Sequence, residues 1–523
     1  MKKNIYPLGV QTFQKLRDEG LLYVDKTELV YNLVNTYNCV FLSRPRRFGK
    51  SLLLSTIKEY FEGNRDLFKG LAIESLEKEW KTFPVIRFDL STENYDNKAR
   101  LISAIGSALS HYEDIYGRRP EDDSIATRFR SLIMAVNQRT SKQVVVLIDE
   151  YDKPLLQAMN DSTLQDDLRD ELKSFYGVLK SCDEYIRFSM LTGVSRFSHV
   201  TVFSGLNNLV DISMNVEYSD ICGISESEFE RYFGDSISTF ADYNQISVAE
   251  AKSEFKENYD GYHFTRKPEG LYNPWSVMSA FDEKEIGNYW FRTGTPTFLV
   301  DLAKSHRLRL LDIESPKRTR EQLSDLVDPD LDVVPLLFQA GFLTIKDYDP
   351  KYRTFTLGFP NLEVKNGFWN FLYNSFIDPY IRTSSNLSMR EMASMLFNGE
   401  VDGFMESLQS IVAKCYHGQV TDMEVIFQNN VATVFTMLGF DPEVEVPSSV
   451  GFSDLVVKTH DYIYVFEFKV DSTPQKALDQ IIRKGYAAPY AADRRQVFLV
   501  GANFSKKEHC LKNWIVLPLQ DIH

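Results

Sequence analysis

Val40-Phe41-Leu42-Ser43-Arg44-Pro45-Arg46-Arg47-Phe48-Gly49-Lys50-Ser51-Leu52-Leu53-Leu54 is an apolar strand that runs into a basic turn, after which Gly-Lys-Ser opens a helix. That is the local grammar of a P-loop. Backbone N–H groups of such a turn, with the positive end of the following helix, cradle phosphates. Lys50 is then placed to reach the β- and γ-phosphates, and Ser51 to hold Mg²⁺. The usual spacing is G-x-x-x-x-G-K-[ST], and Arg44 stands where the first Gly belongs. A glycine there takes positive φ at no steric cost, so this turn must start differently. Arg46 and Arg47 compensate by supplying fixed positive charge near the phosphates. In isolation, an ordinary helix start beside a basic turn reads the same way.

A second stretch decides between the two. Val144-Val145-Val146-Leu147-Ile148-Asp149-Glu150-Tyr151-Asp152 is a continuous apolar run ending in acids. Such a run reads as a buried parallel strand, and its C-terminal end is where open α/β sheets bind ligands. Asp149 is expected to act on Mg²⁺ and Glu150 to polarise the attacking water as general base. One strand, Val85 to Leu90, intervenes along the chain between these units, and Ile186 to Gly193 forms the next. Strands alternating with helices imply a parallel sheet covered on both faces. The polar end of the last strand, Thr192 to Ser195, is expected beside the γ-phosphate. Arg196 is a candidate charge stabiliser there, with a surface arginine as the competing reading. The nucleotide-binding set is thus Arg46, Arg47, Phe48, Gly49, Lys50, Ser51, Leu52, Asp149, Ser195 and Arg196, with ATP and Mg²⁺ as the expected cofactors.

At 523 residues and 60.4 kDa the chain is too long for one core, so two to four domains are expected. Hydrophobic content of 43% and charged content of 25% are those of a soluble globular protein. A net charge of −14 argues against sequence-blind electrostatic binding to DNA, but leaves room for a local basic groove or a metal-bridged one. Cys39, Cys182, Cys222, Cys415 and Cys510 are scattered without a C-x-x-C and read as reduced core residues of a cytoplasmic protein. No apolar run approaches membrane-spanning length, and no apolar signal core follows Lys2 and Lys3.

The expected organisation is an ATPase domain over 1–224, a helical lid over 225–325, a winged-helix-like and helical linker region over 326–420, and a nuclease-like α/β domain over 421–523. Ser225-Glu226-Ser227-Glu228 is a capping box that opens the lid. The aromatic clusters Tyr259 to Phe264 and Leu271 to Ser276 read as the lid's core. A helix over 333–340 with two short strands after it fits a winged-helix unit, whose mixed charge does not mark a DNA reader.

The last hundred residues change character. Short strands, Glu443 to Val446, Ser453 to Val457 and Tyr462 to Lys469, precede a helix over 474–487 and a strand Gln496 to Gly501. Side chains alternate faces along a strand, so Glu467 and Lys469 point one way and Phe466 and Phe468 the other. Asp454 on the neighbouring strand can join the first pair. An Asp, a Glu and a Lys on one sheet face make a metal-dependent hydrolytic site, with the carboxylates on Mg²⁺ and Lys469 on the water or the scissile phosphate. Glu424 is expected to complete the metal shell and Gln480 to steady Lys469. A solvated sheet face is the bland alternative.

Taken together, Arg44 to Ser51, Leu147 to Leu155, Leu191 to Ser198, Asp454, Glu467-Phe468-Lys469, Ala477 to Ile481 and Lys484 to Ala487 resemble an AAA-ATPase-like family common in gut Bacteroidetes. Its members carry a C-terminal PD-(D/E)XK nuclease-superfamily domain. The resemblance covers nearly the whole chain, and the family's P-loop likewise lacks its first Gly. It implies an ATPase whose nucleotide state gates a Mg²⁺-dependent nuclease domain acting on nucleic acid, with DNA favoured. The family often has Gly-Arg-x-Asp before the metal Asp. Here the residues are Gly451-Phe452-Ser453-Asp454, which removes a DNA-phosphate contact. Two rivals stay open: an ATP switch whose C-terminal domain binds nucleic acid or protein without cutting, and a nuclease with a structural nucleotide domain. A homo-oligomer is compatible with either.

Overall fold

Apolar strands buried on both faces need helices above and below them, and the first half of the chain supplies these in alternation. The computed structural model describes residues 5–523 apart from 120, 160, 197–202, 204–205, 293–315, 325–331, 369–388, 413–426, 429–430, 433, 436–437, 439, 449–450, 509 and 523. The chain forms two compact units. One comprises Met1–Gly294 and Ser315–Lys365, the other Thr295–Glu314 and Asn366–His523.

The first unit is built on β1 (Cys39–Ser43), β2 (Val85–Asp89), β3 (Val144–Asp149), β4 (Ile186–Gly193) and β5 (Val210–Asp211). Their order is β2-β3-β4-β1-β5, with every neighbouring pair parallel. β4 therefore lies between the P-loop strand and the Asp149 strand. Every residue of β3 is buried, as its unbroken apolar run predicts. Helices Lys98–Tyr116, Ile125–Thr140 and Ser162–Ser181 pack Leu101, Ile105, Phe129, Leu172 and Phe175 against the sheet. The middle helix does not stand out in the sequence. It starts at a Ser124–Thr127 capping box, a pair without the usual Glu or Gln.

In the lid, β6 (Ile224–Ser225) pairs with β7 (Leu271–Tyr272). The capping box forms as its spacing predicts: Glu228 N–H donates to the Ser225 hydroxyl, and Ser225 N–H donates to the Glu228 carboxylate. Phe229 stacks on Tyr272 at 4.6 Å and Phe255 on Phe281 at 4.3 Å, so parallel rings fill this core.

Further on, β8 (Lys317–Thr319), β9 (Thr344–Asp349) and β10 (Thr354–Gly358) form an antiparallel sheet in the order β8-β10-β9. The expected helix and hairpin are present, and β8 adds a third strand from before the helix. Val334–Ala340 is buried at every position, so this helix is a packing element of the first unit. Gly341, just after it, lies so close to Pro45 that a Cβ would come within 2.6 Å of its Cγ.

The second unit carries β11 (Glu443–Ser448), β12 (Gly451–Lys458), β13 (Tyr462–Val470), β14 (Gln496–Ser505) and β15 (Cys510–Pro518) in that order. β13 and β14 are parallel, and the other pairs antiparallel. Tyr464, Phe466 and Phe468 face Phe404, Phe427 and Phe435. Helix Val401–Val412, expected within the linker region, thus supplies core to this sheet. On the opposite face Val456, Ile463 and Val465 meet Leu478 and Ile481 of helix Pro474–Lys484. That helix opens on a Thr473 cap with Pro474 in its first turn. Among the described residues no helix is long and apolar enough to cross a membrane.

Candidate functional site

The turn after β1 is held open by contacts that stand in for the missing glycine. Arg44 is buried, and its guanidinium donates to the carbonyls of Ser43, Ser213, Tyr218 and Ser219 at 2.8–3.3 Å. It also lies 4.2 Å over the Phe264 ring. Burial pulls its pKa down to about 10, which leaves it charged at neutral pH. Positive φ comes later in the loop, at Arg47 (+68°) and Gly49 (+97°). Two lid residues and Gly223 just before the lid grip the same turn. Trp290 Nε1 donates to Arg46 O at 3.1 Å, Gly223 N–H donates to Phe48 O at 3.3 Å, and Arg47 lies 4.2 Å over Trp275. Phe48 is buried edge-on to Tyr262 at 4.8 Å. The lid aromatics that read as core from the sequence therefore also shape the loop, a role that periodicity and composition do not reveal.

Gly49 caps helix Lys50–Phe61. Lys50 Nζ folds back on Arg44 O at 3.0 Å and Pro45 O at 3.2 Å, with Glu150 Oε1 3.4 Å away. Asp149, at the end of β3, is buried and hydrogen-bonded by Ser51 and by Thr192 Oγ1, the latter at 2.8 Å. Arg87 Nη2 pairs with it at 3.2 Å. Burial pushes the Asp149 carboxyl up, against the pull of the Ser51 and Thr192 hydrogen bonds. A buried carboxylate held against a serine hydroxyl is an oxygen donor set that fits Mg²⁺. Thr192 and Arg87 are part of this site, yet no sequence motif marks Arg87.

The end of β4 departs from expectation. Ser195 is buried, and its hydroxyl and N–H both donate to Asp152 Oδ2 at 2.6 Å, where Val194 N–H joins them at 3.0 Å. Its hydroxyl is committed to Asp152, so Ser195 positions the loop and does not present that group to phosphate. Arg196 pairs with Asp211 at 2.6 Å, and its N–H donates to Gln339; its guanidinium is engaged on β5. Arg47 is likewise stacked on Trp275, while Arg46 is exposed. Asp152 is fully buried, and desolvation with the nearby Glu150 charge raises its carboxyl to about 6. Beside it Gly193 has no room for a side chain: a Cβ would come within 2.5 Å of Asp152 Oδ1 and 2.7 Å of the Tyr151 ring.

Next to Gly49 opens an apolar cleft of about 590 Å³, lined by Leu22, Tyr23, Leu52, Ile221, Pro274 and Met278 among others. Its apolar walls suit an aromatic base.

In the second unit Asp454, Glu467 and Lys469 share the sheet face covered by helix Pro474–Lys484. The β12–β13 ladder runs as far as Leu455↔Phe466, and one step on the Asp454 side chain takes over, Oδ2 accepting from Phe468 N–H at 2.7 Å. Glu467 is 1% exposed, and Lys469 Nζ donates to its Oε1 at 2.8 Å. The expected triad is brought together. Gln480 does otherwise than expected: its amide is 3.4 Å from the Tyr486 hydroxyl, with no bond to Lys469 described. Glu424 lies outside the described residues. Among the described residues no three His, Cys, Asp or Glu side chains cluster as a ready metal site; Asp454 and Glu467 are two carboxylates of neighbouring strands on one sheet face. Oxygen ligands of this kind fit Mg²⁺ with water completing its shell. Phe452, two residues before Asp454, is 61% exposed.

Comparison with known proteins adds to this geometry. Residues 7–203 match a family described as predicted AAA-ATPase, and residues 422–514 match the PD-(D/E)XK nuclease superfamily. An uncharacterized protein in the vnfD 5′ region of Azotobacter chroococcum mcd 1 is 34% identical over 534 residues, 99% of this chain and 100% of that one. Aeropyrum pernix ORC2, solved as ADPNP–ADP complexes, aligns at 13% identity over 66% of this chain and 93% of that one. Its TM-score of 0.27 is too low to carry an argument.

Proposed function

We propose that this chain, which belongs to the AAA-ATPase-like family carrying a C-terminal PD-(D/E)XK nuclease-superfamily domain, binds and hydrolyses ATP and couples that to metal-dependent cleavage of nucleic acid, with DNA the favoured target. The observation that carries the ATP reading is the convergence of Lys50, Ser51, Asp149 and Glu150 at the C-terminal edge of a parallel sheet. Lys50 exchanges its bonds to Arg44 O and Pro45 O for β- and γ-phosphate oxygens. The base enters the apolar cleft beside Gly49 and Leu52. Ser51 and Asp149 would hold Mg²⁺, which would supply charge neutralisation on the phosphates. Glu150 takes the proton of the attacking water. Asp152 and Ser195 fix the backbone between these groups.

On the C-terminal sheet Asp454 and Glu467 would hold the divalent ion, which would supply an activated water and charge neutralisation. Lys469 leaves Glu467 Oε1 to meet the scissile phosphate. Phe452, exposed where relatives often carry Arg, favours slow cutting, and it is the observation that supports binding without cutting as the second reading.

The test is one assay matrix: plasmid and single-stranded substrates, with and without Mg²⁺, Mn²⁺ and ATP. Lys50→Ala is expected to abolish most ATP binding by calorimetry, and Asp454→Ala to abolish cleavage while leaving ATP binding intact. Equal ATP affinity in Lys50→Ala defeats the first half of the proposal. Cleavage that persists in excess EDTA, or in Asp454→Ala, defeats the second.

A further inference from the structure

Three arginines from three separate segments line one cleft. Arg266 lies between Phe264 and β7, Arg320 opens the short helix after β8, and Arg353 sits at the β9–β10 turn with a φ of +55°. They line one open cleft of about 1100 Å³ together with Tyr348, Tyr352 and Phe355. All three arginines are exposed, and none pairs with a carboxylate among the described residues. Arg320 Nη2 donates to Met214 O at 3.4 Å. Among the described residues the one acid lining the cleft is Glu321. Its own backbone N–H and the Thr319 hydroxyl hold its carboxyl below the usual range, with Arg320 and Arg353 adding to the effect.

Two features mark this cleft as more than a patch of surface charge. The chain as a whole carries −14, so three unpaired guanidinium groups against one carboxylate reverse the local sign. Of the three rings in the aromatic wall, Tyr352 is exposed while Phe355 is buried. Tyr348 rests on Phe355 at 4.9 Å, but Tyr352 at the hairpin tip is 66% exposed, with Lys351 Nζ 5.0 Å over its ring. Guanidinium groups bind phosphates through paired N–H donors. An exposed ring beside them offers a stacking face to an unpaired base, which a duplex keeps inside its stack.

We propose that this cleft grips a single strand of nucleic acid, with Arg266, Arg320 and Arg353 on its phosphates and Tyr352 stacked on a base. The inference rests on the reading that the chain acts on nucleic acid, and it says where the strand is held. The gripping hairpin belongs to the helix-and-hairpin region whose mixed overall charge does not mark it as a reader. Sorting the charges by position explains the difference: Asp349 is turned onto the Lys351 and Tyr352 N–H groups, and Asp332 onto Arg318.

The experiment uses the full chain in an Asp454→Ala background, so that no strand is cut. Fluorescence anisotropy follows a labelled oligo-dT, an RNA of the same length and a duplex across a salt series. Replacing Arg266, Arg320 and Arg353 together with Ala should weaken oligo-dT binding at least about tenfold. It should also lower the slope of log affinity against log salt by about 2, since each single-strand phosphate contact contributes about 0.7. The Lys-for-Arg triple should retain the slope. Tyr352→Ala should weaken binding at least about fivefold without changing it. Unchanged ATP affinity in the Ala triple shows that the fold is intact. If the triple binds oligo-dT with wild-type affinity and slope, the cleft is not the grip, while the nucleic-acid reading survives on the wild-type binding. If the duplex is preferred, the single-strand assignment is wrong. If the parent chain binds no strand, the cleft proposal fails, and metal-dependent cleavage by the Asp454-intact chain then judges the nuclease reading separately.

Discussion

Glu150 allows catalysis to be separated from backbone geometry. Its φ of +52° puts a residue with a Cβ in the left-handed region, which costs roughly 1–2 kcal/mol. Its carboxylate lies 3.4 Å from Lys50 Nζ and is 21% exposed. Glu150→Gly removes the carboxylate and relieves the φ. That gain is offset by roughly 0.5–1 kcal/mol of extra freedom in the unfolded chain and by about 0.2–1 kcal/mol for a partly exposed ion pair. The terms cancel to within about 1 kcal/mol, which corresponds to at most about 2–4 °C in Tm for a unit of this size. Glu150→Gln keeps the φ and loses only the charge. Both variants should slow hydrolysis at least about a hundredfold, the scale of losing a general base, while ATP affinity holds or rises because Lys50 loses a competing partner. Phosphate release at saturating ATP, calorimetry and thermal melting read the three quantities. Hydrolysis within tenfold of wild type in both variants would place the base elsewhere. A fall in Tm beyond about 10 °C in Glu150→Gly would mean that the carboxylate holds the loop and that the φ is not a strain to relieve.

Other expectations follow from the same geometry. Arg44→Gly completes the usual P-loop spacing yet should weaken ATP binding and cost at least about 3 kcal/mol in urea unfolding, because four carbonyls lose a buried charged donor; tighter ATP binding in this variant refutes the reasoning. Asp152 has its carboxyl raised to about 6 in the folded chain, above its unfolded value of about 4. Its contribution is therefore fully present below pH 4 and is lost as pH rises through 6, by roughly 3 kcal/mol at most. Asp152→Asn should flatten the stability profile between pH 4 and 6 relative to wild type, and parallel profiles count against the assignment. Phe452→Arg should speed Mg²⁺-dependent cleavage at least about fivefold by restoring a phosphate contact, read by initial rates on plasmid; no change would show that position 452 does not meet the strand.

Periodicity and motif spacing carry the sheet, because an unbroken apolar run such as Val144–Asp149 has no use except burial on two faces. Gly49-Lys50-Ser51 and Asp149-Glu150 likewise sit where their spacing puts them. The alternation along β13 places Glu467 and Lys469 on one face, and the β12 register brings Asp454 beside them. What the sequence hides are partners distant along the chain. Arg44 reads as a substitution in a motif until the carbonyls of residues 213–219 are seen around it. Asp152 reads as one more acid after the strand, although it pins Ser195 and leaves that hydroxyl no part at the phosphate. β15 is missed because Asn513 and Lys512 break its apolar alternation on an edge strand whose second neighbour is water.

The departure at Arg44 changes what holds the phosphate loop in shape. A glycine at that position makes the turn self-sufficient, since its φ costs nothing. Here the loop is held from outside, by Phe264 under Arg44, Trp275 under Arg47, Trp290 on Arg46 O and Gly223 on Phe48 O. Each cation–π contact is worth about 0.5–1 kcal/mol and each hydrogen bond about 1 kcal/mol, so the set amounts to roughly 3 kcal/mol when summed. All four come from residues 223–290, at or beyond the last strands of the nucleotide-binding sheet. At 1.4 kcal/mol per tenfold, withdrawing that layer would lower the share of the binding-competent loop by about a hundredfold. Coupling between two sites is reciprocal, so a phosphate that ordered the loop would tighten the lid upon it by the same free energy. The lid's aromatic richness thus has two causes in this chain, a stacked core on one side and a scaffold for a glycine-poor phosphate loop on the other.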